Sequence, residues 1–112
     1  MSDSQPVLAC DLGALSAEER LRRAGLAARV PARFREVRET SDGFAACLDE
    51  DAQVIQEALD WILLERRCCP FLGLELRFEP SGPVWLKFGG GPGVKGFLAA
   101  AGFKASASRA QR

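Results

Sequence analysis

The sequence predicts an α+β domain, a mostly antiparallel sheet of roughly four to five strands with two to three helices, in the order β-α-β-β-α-β-β-α. Three patterns carry that expectation. Leu72, Leu74, Leu76 and Phe78 alternate with Gly73, Glu75, Arg77 and Glu79, and Val84, Leu86 and Phe88 alternate around Trp85 and Lys87, the period of strands with one buried face. Val54, Ile55, Ala58, Leu59, Ile62 and Leu63 form an apolar stripe at helical spacing. Asp42-Gly43 sits between two strand-like runs, a strong short-range hairpin signal.

The elements follow in order. Pro6 to Leu12 reads as a short first strand closed by Gly13. Ser16 followed by Glu19 is a capping box, so a helix starts there, with Leu21, Ala24 and Ala28 inward and Pro31 as its stop. Phe34 to Thr40 and Phe44 to Leu48 form the first hairpin. A two-residue Asp42-Gly43 turn pairs Val37 with Leu48 and Glu39 with Ala46, and sends Cys47 to the face opposite Phe44 and Ala46, across from Arg38. Asp49 or Asp51 caps the second helix, and Pro70 forces its end at Cys68, with Arg66 and Arg67 suiting the negative end of the helix dipole. The odd-length loop 79–83 aligns Leu76 with Leu86 in the second hairpin. A last short helix runs from the Gly-rich loop to Gly102.

At 112 residues the chain is one domain. Residues 1–103 form it, with 1–6 a flexible N-terminus, and the Ala-, Ser- and Arg-containing stretch 104–112 reads as a disordered basic tail. Fifteen basic residues balance fifteen acidic ones, which argues against a nucleic-acid partner or an anionic membrane surface. There is neither a long apolar run nor a signal-like N-terminus, so the expected location is cytoplasmic. Trp85 falls on the strand face away from the leucines, and an exposed aromatic there points to a subunit interface, as in a homodimer, or to a binding groove.

The four cysteines carry the chemistry. In a reducing compartment they are more readily ligands or redox groups than staples. The absence of histidine removes the commonest metal ligand, so any bound ion is held chiefly by sulfur. Cys68 and Cys69 adjoin at the corner where the second helix breaks, which is expected to splay their sulfurs outward. A disulfide between such neighbours closes a strained ring. Two thiolates with a third donor instead suit a thiophilic ion such as Zn(II), Cu(I), Hg(II) or As(III). Cys10 is the third donor if the first strand lies beside the helix terminus, and Cys47 is the weaker candidate. Glu65, one helical turn before the pair, is placed to accept a thiol proton or to ligate an ion, or else to pair with an arginine. Arg66 and Arg67 favour thiolate, while Glu65 and the helix end oppose it.

Gly91-Pro92-Gly93-Val94-Lys95-Gly96 matches G-x-G-x-x-G only formally. Proline removes an amide donor, and no acidic residue follows about twenty positions on. Without histidine the usual hydrolytic triads are excluded as well.

The run Glu65-Arg66-Arg67-Cys68-Cys69-Pro70-Phe71-Leu72, followed by Gly82-Pro83-Val84-Trp85-Leu86 and Gly93-Val94-Lys95-Gly96-Phe97-Leu98, resembles a group of small bacterial proteins with an E-R-x-C-C-P-F signature. The resemblance spans roughly residues 7 to 99 and implies importance for Glu65, Cys68, Cys69 and Cys10. It implies no particular reaction. Together these readings lead to a small protein that binds a thiophilic metal or metalloid ion through Cys68, Cys69, Cys10 and Glu65, in sensing, buffering or detoxification. A binding role is favoured over catalysis. The alternatives are a thiol-based redox enzyme using Cys68 and Cys69, and a dimeric interaction module whose cysteines only pack.

Overall fold

A computed structural model describes residues 8–106. The expected flexible N-terminus, residues 1–6, and residues 107–112 of the expected tail lie outside the described residues. The α+β class holds: helix α1 (Ala17–Arg29), strands β1 (Phe34–Glu39) and β2 (Gly43–Leu48), helix α2 (Ala52–Cys68), strands β3 (Gly73–Phe78) and β4 (Val84–Gly89), and helix α3 (Val94–Ala100). Among the described residues there are four strands, all antiparallel, in the order β1-β2-β4-β3. Residues 8–11 of the expected first strand pair with no strand, and short 3-10 turns occupy Leu12–Ala14 and Pro31–Arg33. No helix among the described residues is long and apolar enough to cross a membrane.

Each start and stop has a local cause. Ser16 and Glu19 form the reciprocal capping box at α1. The buried side of that helix differs from the expected stripe: Leu26 and Val30 are sealed, whereas Leu21, Ala24 and Ala28 face water. On α2, capped by Asp51, burial runs along Val54, Ala58, Trp61, Glu65 and Cys68, while Leu59 and Leu63 are exposed. That shift turns Glu65 inward.

The β3–β4 hairpin has the expected register, Leu76 opposite Leu86. The β1–β2 hairpin is offset by two residues, with Val37 opposite Ala46 and Glu39 opposite Phe44. Its turn is Ser41-Asp42, because Thr40 N–H donates to the Gly43 carbonyl at 2.8 Å. Gly43 is held in β2 by a close approach: a Cβ there would stand 1.9 Å from the Phe88 carbonyl oxygen of β4. A two-residue offset preserves the faces, so Phe44, Ala46 and Leu48 still share one. Cys47 lies on the other, opposite Glu36 instead of Arg38. Trp85 is Cys47's neighbour across β2–β4, and the Arg38 guanidinium sits 4.8 Å above its ring.

The core joins Leu26 and Val30 of α1, Trp61, Ile62 and Cys68 of α2, and Val84, Leu86 and Phe88 of β4. Past α3 the chain returns to the edge of the sheet, where Ser106 bonds Val37 in both directions at 2.7 and 2.8 Å.

Candidate functional site

The C-terminus of α2 organises the site. Cys68 is the last helical residue and Cys69 the cap, whose N–H still donates to the Glu65 carbonyl at 2.7 Å. Pro70 then turns the chain away. The free carbonyl of Cys68 accepts from Asp11 N–H at 2.7 Å, which docks the N-terminal segment on the helix end. That contact brings Cys10 beside the vicinal pair.

Cys10 and Cys69 are joined by a disulfide, with Cα atoms 4.6 Å apart. Two of the cysteines expected as free ligands are therefore bonded to each other, and Cys47 and Cys68 are free. Cys68 Sγ lies 3.6 Å from Cys69 Sγ. The expectation of sulfurs splayed outward is corrected: they sit side by side, and Cys68 and Cys69 are both 0% exposed. The helix end is roofed by the N-terminal segment, which no local pattern could reveal. Cys10 alone of the three sits half-buried.

Glu65 faces this cluster and is 5% exposed. Its Oε2 accepts from Trp61 Nε1 at 2.8 Å and lies 2.9 Å from Arg23 Nε. Arg23 Nε aims poorly at that oxygen and has no hydrogen-bond partner, so its link to Glu65 is an ion pair rather than a directed bond. Glu65 Oε1 lies 3.4 Å from Cys69 Sγ. A disulfide sulfur carries no hydrogen. A thiol at this position would have a carboxylate oxygen within reach as hydrogen-bond acceptor.

Arg23 was not found by sequence reasoning. The signal was present, because residues 23, 26, 27 and 30 fall on one helical face, the one that is buried. Arg67, expected to favour thiolate, bonds Glu19 at 2.6 Å and the Ala14 carbonyl at 3.2 Å instead. Cys47 remains apart on the opposite sheet face, as expected for the weakest ligand candidate.

One potential ligand atom from each of Cys10, Glu65, Cys68 and Cys69 lies within 4.8 Å of every other. All four predicted site residues are brought together. After reduction the set offers three sulfurs and a carboxylate, of which Cys68, Cys69 and Glu65 are buried and Cys10 is half-buried, a donor set for soft ions.

Burial raises the Cys68 thiol above its ordinary pKa, the Glu65 charge adds to this, and Arg23 opposes it. Burial likewise raises Cys47. A raised thiol pKa means that the folded chain keeps a proton that the unfolded chain has already released. Stability is thus complete below the free-thiol value and declines as pH climbs above it. The oxidised protein is expected to lose stability from about pH 8.5 upward. In denaturant titrations across that range, a Cys47→Ala/Cys68→Ala variant should show a smaller loss. An equal loss would contradict the assignment.

Comparison with protein-family models, with curated proteins and with solved structures finds no match.

Proposed function

We propose that this protein binds a thiophilic metal or metalloid ion through Cys10, Cys68 and Cys69, and that the Cys10–Cys69 disulfide closes the site until it is reduced. The observation that carries this reading is the convergence of three sulfurs and Glu65 within 4.8 Å. Convergence of thiols from a helix end and a distant segment supplies the preorganisation a soft-ion site needs. Reduction takes two electrons and two protons and yields two thiols beside Cys68. Glu65 Oε1 is then in reach to accept a hydrogen bond from the Cys69 thiol, while Arg23 offsets part of the negative charge that accumulates as thiolates form.

The disulfide favours a second reading, thiol–disulfide exchange, because a free thiol lies 3.6 Å from it. Chemistry at that thiol argues the other way. An attacking cysteine needs access and a lowered pKa, whereas Cys68 is fully buried and its thiol is pushed up by burial. Its immediate target, Cys69, would also close the strained ring between neighbours.

The test uses protein reduced with a phosphine, in a Cys47→Ser background, titrated with Hg(II), As(III), Cu(I) and Zn(II). The expected result is one ion per chain by native mass spectrometry, with thiolate-to-metal absorption in the near ultraviolet. A Cys68→Ser/Cys69→Ser variant should lose both signals. Equal binding by that variant for every ion would overturn the proposal, and unreduced protein should bind weakly until phosphine is added.

A further inference from the structure

A cavity of about 490 Å³ lies against the cluster, and Cys10 forms part of its wall. The remaining wall is mainly hydrocarbon and aromatic, with Phe34, Trp61, Phe88 and Leu98 around it. Arg23 and Glu65 mark its polar end. Ala101, Gly102 and Lys104, all exposed, form its mouth. Of the three clustered sulfurs, the only one that is not fully buried therefore faces an apolar chamber.

A lone inorganic ion has no use for such a chamber. It occupies a small fraction of the volume, and apolar walls offer nothing to its hydration shell. A compound with an apolar organic group on a thiophilic atom uses both parts, since the group displaces water from the chamber while the soft atom reaches the sulfur. Resting on the thiophile-binding reading above, we propose that the preferred ligand is an organic derivative of a trivalent metalloid or a mercurial, with its carbon group in the chamber and its soft atom on Cys10 and Cys69.

For an aryl arsenical the step balances without electron transfer. Phosphine and water first reduce the disulfide, giving phosphine oxide and two thiols. The hydrated arsenical, with one As–C and two As–OH bonds, then condenses with the thiols of Cys10 and Cys69. Two As–S bonds form, two As–O bonds break, and each thiol proton leaves with a hydroxide as water. Arsenic stays trivalent and its carbon group remains in the chamber.

The probes are phenylarsine oxide and arsenite, titrated into phosphine-reduced protein in the Cys47→Ser background. Dithiol reductants are avoided because they compete for arsenic. Wild type is expected to prefer phenylarsine oxide by about tenfold to a hundredfold, the scale set by burying one phenyl ring. Ala27→Phe, which places a ring into the chamber wall, should cut that ratio at least severalfold. Ala101→Trp, at the exposed mouth, gives a second obstruction that does not disturb the core. An unchanged ratio in both variants, or no preference in wild type while arsenite still binds, overturns this inference and leaves the proposed function standing. Failure of both probes to bind overturns this inference, and it overturns the proposed function as well only if Hg(II), Cu(I) and Zn(II) also fail in the titration above.

Discussion

Replacing Cys10 by serine is expected to lower the melting temperature of the oxidised protein by roughly 15–20 °C, the shift that about 4 kcal/mol produces in a domain of this size. The bond joins residues separated by 59 positions, so cutting it returns a long loop's freedom to the unfolded chain. It also ties down the segment before α1, which joins no strand and is otherwise held to the helix end by the Asp11 to Cys68 and Arg67 to Ala14 bonds. Against a typical total stability of about 5–15 kcal/mol, the loss is large. Calorimetry with and without phosphine checks it. Wild type should fall toward the variant on reduction, while the variant should be insensitive. A variant as stable as oxidised wild type would show that the bond contributes little beyond local contacts.

That same bond marks where sequence reasoning reached its limit. Local signals were sufficient for the capping box at Ser16, the end of α2 at Cys68 and the Leu76–Leu86 register, because each depends on residues a few positions apart. Glu65 was placed near the thiols by helical spacing alone. The approach of Cys10 depended on a contact across most of the chain, visible only as a conditional. The first hairpin departs from the sequence expectation by two residues because Gly43 lies in β2 rather than in the turn, its missing side chain accommodating β4. That pairing of β2 with β4 is long-range information. In α1 the alanines and Leu21 suggest one inward face, whereas Leu26 and Val30 mark the buried one, which carries Arg23. An arginine on a buried face reads as an error in the pattern until its carboxylate partner on another helix is known.

Glu65→Leu is expected to destabilise the protein by about 3 kcal/mol, near the lower end of what breaking a buried ion pair costs. Two groups lose their partner in this variant. Trp61 Nε1 is left as a buried donor without an acceptor, and Arg23 keeps its charge in a setting where its side chain is only 22% exposed. The residual exposure of Arg23 keeps the cost below that of a fully buried pair. Combining Arg23→Leu with Glu65→Leu should recover much of the loss, because hydrocarbon in place of a buried pair is often neutral. Chemical denaturation of the two single variants and the double variant supplies the cycle. A double variant whose cost is the sum of the two singles would mean that the residues act independently. Glu65→Gln separates charge from shape, since the amide oxygen can still accept from Trp61. Because the Glu65 charge helps to raise the Cys68 thiol, that variant should lower its pKa toward the ordinary value. The thiol titration monitored by absorbance should move down in Glu65→Gln even if stability changes little. An unmoved titration would make Glu65 a packing and pairing residue with no hold on the sulfur chemistry, and would remove it from the proposed ion site while leaving the three cysteines in place.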